Sequence, residues 1–104
     1  MIPTILIPYD ASARTALAVH YATAIASRTG GDLILYAVIA DEALRNYAES
    51  QLARVAEEIT HARVGVTTRI DCGKEVAAAI VDTARANGAD LIAMATSASS
   101  DLDR

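Results

Sequence analysis

The chain predicts a doubly wound α/β fold, an open parallel sheet with helices on both faces, and three observations carry that prediction. The runs at residues 2–7 and from Leu33 to Ile39 are too continuously apolar for strands with one wet face, and suit strands covered on both sides. Between the extended stretches lie segments whose apolar residues recur every three or four positions. The resulting order, β-α-β-α-β-α-β, has connections short enough for right-handed crossovers throughout.

Taken in order, the first strand runs to Ile7, with Pro3 at its start and Pro8 closing it. Asp10 and Ser12 can cap a helix whose inward face is Ala18, Val19, Ala22, Ile25 and Ala26, and Gly30-Gly31 ends it. After the second strand and Asp41, the positions Leu44, Ala48, Leu52, Val55, Ile59 and Ala62 trace a helical stripe, with Glu49, Arg54, Glu57 and Glu58 on the solvated side. Residues 64–72 alternate, with Val64, Val66, Thr68, Ile70 and Cys72 on one face and Gly65, Thr67, Arg69 and Asp71 on the other, the pattern of an edge strand. Gly73 leads into a third helix carrying Val76, Ala77, Ile80, Val81 and Ala84, which Asn87-Gly88 stops. Leu91 to Ala95 is the fourth strand, and residues 96–104 are polar.

With 104 residues there is room for one domain, expected over residues 1–98 with a short polar tail at 99–104. Apolar residues make up 53% and charged residues 21%, which a packed core requires. The core must be built without Phe or Trp and with 23 alanines, so close approach of helices to the sheet replaces bulky filling. A formal charge of -4 argues against nucleic acid or an anionic membrane as partner. A single cysteine and no apolar leader point to the cytoplasm, and no apolar run approaches the ~20 residues that span a bilayer.

In such a sheet ligands sit beyond the carboxyl ends of the strands, so Pro8, Tyr9, Asp10, Val38 to Asp41, Cys72-Gly73 and Ala95 to Ser97 are the segments to inspect. Asp10 is either a carboxylate at that crevice or a cap for the first helix, and the two roles are compatible. A phosphorylatable receiver site would need further acids beside Asp10 and a lysine on a fifth strand. Cys72 is in phase with Val64, Val66 and Ile70 and reads as a small buried hydrophobe rather than a nucleophile. His20 lies off the apolar face, His61 falls in the last turn of the second helix, and neither has a carboxylate at metal-ligand spacing. No Ser/His/Asp or Cys/His set is legible.

The opening Ile5-Leu6-Ile7-Pro8-Tyr9-Asp10-Ala11-Ser12, the run Ala18-Val19-His20-Tyr21-Ala22 leading to Gly30-Gly31-Asp32-Leu33, and Ala77-Ala78-Ala79-Ile80-Val81 followed by Gly88-Ala89-Asp90-Leu91-Ile92-Ala93-Met94 resemble the universal stress protein family from residue 2 to about 98. The resemblance implies an adenine-nucleotide alpha-hydrolase-like sheet in the order 3-2-1-4, in a small cytoplasmic protein, usually dimeric, that accompanies stress responses. In members that bind ATP, the matching positions surround the nucleotide; here they are Pro8, Tyr9, Asp10, Val38, Met94 and Ala95. The family's phosphate loop, Gly, two residues, Gly, nine residues, then Gly and Ser or Thr, has Ala95 and Ala98 at its first two glycines, and its third lies past Arg104. Glycine matters there because the backbone must approach phosphates and expose its amides. The family's fifth strand and fourth helix have no counterpart, which implies a shortened member or a fragment.

These readings lead to a regulatory or interaction module that acts by association, without turnover and without a resident cofactor. The expected partner is a second copy, joined through the fourth strand, whose edge would otherwise be unpaired. The alternative is an ATP-binding switch or weak ATPase using Asp10 and magnesium with the hydroxyls of Thr96, Ser97, Ser99 and Ser100. A third reading is an enzyme of another α/β family, including a redox role for Cys72. Binding of ATP and the behaviour of Asp10→Ala and Cys72→Ala discriminate among them.

Overall fold

The computed structural model describes residues 3–10, 13–60 and 63–94. Strand β1 (Thr4–Pro8) leads to helix α1 (Ala13–Thr29) and β2 (Asp32–Ile39). A 3-10 turn (Glu42–Leu44) then opens α2 (Arg45–Thr60), followed by β3 (Gly65–Cys72), α3 (Val76–Ala86) and β4 (Leu91–Ile92). The sheet order is β3-β2-β1-β4, every pair parallel. The register sets Ile7 beside Leu35 and Pro8 beside Tyr36 on one side of β1, and Ile5 beside Leu91 on the other. The predicted fold class and strand order are those observed.

Side chains alternate across each strand, and two cores result. Ile5, Ile7, Leu33 and Leu35 point to the face that carries α1 and α2, where Ala18, Ala22, Ala26, Leu52 and Ile59 complete the packing. Leu6, Ile34 and Tyr36 point the other way, to Ala79, Ile80 and Ala84 of α3. Helix α1 can lie close to the sheet because its inward positions are alanines, with Thr15 as the buried polar exception. Helix α3 is held at its start by Glu75, whose carboxylate accepts from the amides of Ala77 and Ala78, and at its end by left-handed Gly88 (φ 65°), which lets the Ala89 amide reach the Ala84 carbonyl at 2.8 Å.

Several inward assignments are corrected. Ile25 faces solvent beside Leu17 and Tyr21, a second apolar row on α1 at four-residue spacing. Leu44 belongs to the 3-10 turn and is exposed, because Asp41 accepts from the Ala43 amide at 2.9 Å and starts that turn before α2 begins. On α3, Val76 and Val81 are exposed and Ala79 is buried in place of Ala77. The apolar stripe of α3 is wider than the β1–β2 surface beneath it, so part of it turns toward β4, where Val76, Val81, Ile92 and Met94 line one shallow groove. Strand β4 pairs with β1 over Leu91–Ile92, extended by the Ala93 amide donating to the Leu6 carbonyl at 2.9 Å. Leu91, Ile92 and Met94 are exposed. Ser12, His61, Ala62 and residues 95–104 lie outside the described residues.

Candidate functional site

Strand order reverses between β1 and β4: the crossover from β1 runs through α1 to β2, whereas α3 carries the chain from edge strand β3 to β4 on the opposite side. The carboxyl ends of β1 and β4 therefore flank a crevice. Of the residues singled out from sequence, Pro8, Tyr9, Asp10, Val38 and Met94 line one cleft of about 220 Å³, joined by Thr15, Tyr36 and Ile80. Ala95 and Ala98 lie outside the described residues. A second cleft of about 310 Å³ shares Tyr9, Asp10 and Val38 and extends over Leu44, Tyr47 and Gln51 at the start of α2. Tyr9, Asp10 and Val38 form the ridge common to both.

Asp10 is fixed by Thr15. The Thr15 hydroxyl donates to the Asp10 carboxylate at 2.5 Å and accepts from the Asp10 amide at 3.4 Å, so the first turn of α1 holds the loop that follows β1. Asp10 is thus tied to α1 through the Thr15 side chain while it lines both clefts. The side chain of Tyr36 spans the other core, where its hydroxyl donates to Asp71 at 2.5 Å. Burial, and then this bond to Asp71, push the Tyr36 hydroxyl above its ordinary pKa, so it remains a donor. Tyr9 is raised as well, by partial burial first and then by Tyr47. Both tyrosines therefore stay neutral at physiological pH.

Thr15 and Tyr36 were not singled out from sequence, though both carry a signal. Thr15 is a hydroxyl on the row that continues through Ala18, Ala22 and Ala26, and Tyr36 is the one aromatic in the second apolar run, where a buried hydroxyl needs a partner. That partner, Asp71, sits on the face of β3 read as solvated. It is instead half-buried, because α3 covers that side of the sheet next to β2.

Cys72 is half-buried rather than buried, since it ends β3 at the sheet edge beside the 3-10 turn. Burial, and then Glu42, raise its thiol above the ordinary value, which keeps it protonated and slow as a nucleophile. Glu42 is itself held down to about 2 by Arg45, whose guanidinium contacts it at 2.6 and 2.9 Å. Alkylation of Cys72 by iodoacetamide, followed against pH by intact mass, should reach half its maximal rate above the usual thiol range of about 8.5. Glu42→Gln should bring that midpoint down, and a midpoint below pH 8 in the parent would contradict this arrangement. His20 stands off the core as expected, its ring edge-on to Tyr21 at 5.8 Å. Among the described residues, no cluster of three or more His, Cys, Asp or Glu could hold a metal ion, and no helix is long and apolar enough to cross a membrane.

A family model described as the universal stress protein family matches residues 1–104. Among solved structures, a protein of that family from Burkholderia pseudomallei superposes with a TM-score of 0.82 at 22% identity, covering 94% of this chain and 84% of that one. The universal stress protein from Archaeoglobus fulgidus in complex with dAMP gives 0.75 at 18% identity, covering 88% and 78%. A universal stress protein in complex with cAMP gives 0.73 at 22% identity, covering 98% and 82%. No curated protein matches the chain. At these identities the structural likeness establishes the fold.

Proposed function

The chain belongs to the universal stress protein family, and we propose that within it the protein is a non-catalytic stress-response module of the cytoplasm that acts by association and does not hold ATP tightly. The observation that carries this reading is the state of Asp10. It is the carboxylate lining both clefts, and it is committed to the Thr15 hydroxyl, while the tyrosines around it are held protonated. General acid-base turnover uses a second histidine or carboxylate beside the first, and among the described residues no other His, Asp, Glu or Lys lines either cleft. Association is supported at β4, where Leu91, Ile92 and Met94 are exposed at a sheet edge, next to Val76 and Val81. Such an edge offers unpaired backbone groups and apolar side chains to a second copy.

A second reading, an ATP-binding switch of the same family, is favoured by the two similar structures solved with dAMP and cAMP. Sedimentation velocity at tens of micromolar, with and without millimolar magnesium-ATP, separates the two. The association reading expects a dimer whose size is indifferent to ATP and which Ile92→Lys dissociates. A monomer in both conditions overturns it, and assembly or dissociation driven by ATP establishes the switch.

A further inference from the structure

We infer that the flank of α1 turned away from α2 is a docking surface for an acidic amphipathic helix of another protein. Arg14, Leu17, Tyr21, Ile25 and Arg28 follow one another at spacings of three, four, four and three, so they share one side of α1. The other side, with Ala16, Val19 and Thr23, borders α2 at Glu58 and Ile59. Since α1 packs over β1 and β2, and α2 over β2 and β3, the flank that carries the arginines overhangs the β4 side of the sheet. Leu91 is paired with inward-facing Ile5 and so shares its face, at the foot of that flank. Leu17, Tyr21, Ile25 and Leu91 each leave between 43% and 62% of their surface in water. The helix layer ends at α1, and the angle between α1 and β4 is a groove with an apolar wall and floor.

Charge selects the occupant. Helix α1 has no Asp or Glu along its length, and Arg14 and Arg28, at the two ends of the apolar row, are exposed and held in no ion pair among the described residues. They stand roughly 21 Å apart along the helix axis, at 1.5 Å per residue. The acids that follow β1 and precede β4 are engaged elsewhere: Asp10 takes the Thr15 hydroxyl and Asp90 the Thr4 amide. A second copy docking by the same flank would set arginine against arginine at both ends, whichever way the two helices ran. Two copies joined edge to edge through β4 would keep their α1 helices apart, because strands about 4.8 Å apart put the two β1 strands beneath them about 14 Å from each other, beyond the roughly 8–10 Å of packed helices. A flat lipid surface cannot enter the angle that Leu91 floors. What answers this flank is a helix with apolar residues at four-residue spacing and an acid one turn beyond each end. Four apolar side chains are few against the roughly 20–30 residues a side of a standard interface, so the contact is a transient one.

The test is fluorescence anisotropy of two labelled peptides of about 18 residues, long enough to be helical, titrated with the full chain. Both carry three leucines at four-residue spacing on an alanine-glutamine helix; one places glutamate three residues before the first leucine and three after the last, and the other places lysine there. At about 20 mM salt the glutamate peptide should bind about tenfold more tightly than the lysine peptide, a gap that narrows to about twofold at about 300 mM. Arg14→Glu combined with Arg28→Glu should invert the order of the two peptides. Tyr21→Ala should weaken the glutamate peptide by about fivefold or more, with circular dichroism showing the fold retained. Ile92→Lys, on the opposite face of β4 toward α3, should leave peptide binding within about twofold, so that failure of the association through β4 does not carry this inference with it. Equal affinity for the two peptides, or no binding of either at about 1 mM, overturns the inference and leaves that association standing. Binding to phosphatidylglycerol vesicles that Tyr21→Ala abolishes would make the occupant a membrane, and a fall in the sedimenting mass of the free chain in Tyr21→Ala would make it a second copy; either result overturns the inference too.

Discussion

Leu35→Ala should lower the unfolding free energy by about 2–5 kcal/mol, the cost of removing a buried leucine side chain where the surroundings relax only in part. Leu35 is fully buried at the centre of β2, paired to Ile7 on one side and Thr68 on the other, and it packs in the core that α1 and α2 close. Both of those helices present small or aliphatic groups at fixed positions along the strands, so neither can collapse into the space left behind. For a domain of this size the loss corresponds to a fall in Tm of roughly 10 °C or more. Urea unfolding should show a lower midpoint with an unchanged slope. The control is Leu17→Ala, on the exposed row of α1, which should stay within about 0.5 kcal/mol of the parent. Equal effects at the two positions would contradict the assignment of the core.

Gly31→Ala should be the other large effect, at about 1–3 kcal/mol, through overpacking rather than a cavity. A Cβ at position 31 would lie 2.6 Å from the Pro3 carbonyl oxygen and 3.0 Å from the Pro3 Cγ. The first of these is backbone, and it already accepts from the Asp32 amide at 3.0 Å, the bond that starts the β1–β2 ladder. Relieving the clash would therefore pull the central pair apart at its amino end. Gly30, its neighbour, has open space around its Cβ position and is required only for its left-handed φ of 74°, so Gly30→Ala should cost about 1 kcal/mol. Thermal unfolding of the two variants should rank Gly31→Ala below Gly30→Ala, and the reverse order would contradict the close approach of Pro3 to Gly31.

What was legible in the sequence was whatever a local period encodes. The runs that became β1 and β2 are apolar on both faces because α1 and α2 cover one and α3 the other, so their continuity announced a sandwiched sheet. The alternation from Val64 onward announced an edge, and β3 is one. Asn87-Gly88 and Gly30-Gly31 announced helix ends by chemistry that only a left-handed residue supplies. What was not legible depended on how wide a surface each helix meets. Helix α3 carries more apolar residues than β1 and β2 can cover, so periodicity alone could not say that Val76 and Val81 stay exposed while Ala79 is buried.

The site divided in the same way. Pro8, Tyr9, Asp10, Val38 and Met94 come together because they end neighbouring strands, which strand order dictates. Thr15 and Asp71 act through side-chain partners far from them in the chain or on the far side of a turn, and such pairings leave no period to read. Cys72 shows the limit of phase: it shares a face with Val66 and Ile70, yet it ends its strand beside Glu42 and so stays half-buried.

The proposed independence of this family member from bound ATP is decided by isothermal calorimetry of the chain with magnesium-ATP. By the family resemblance Ala95 and Ala98 fall where the ATP-binding pattern has glycines, and losing even two phosphate contacts at about 1–3 kcal/mol each would weaken binding by roughly one to four decades. No saturable binding is expected below the millimolar range. A micromolar dissociation constant for the parent chain would contradict it.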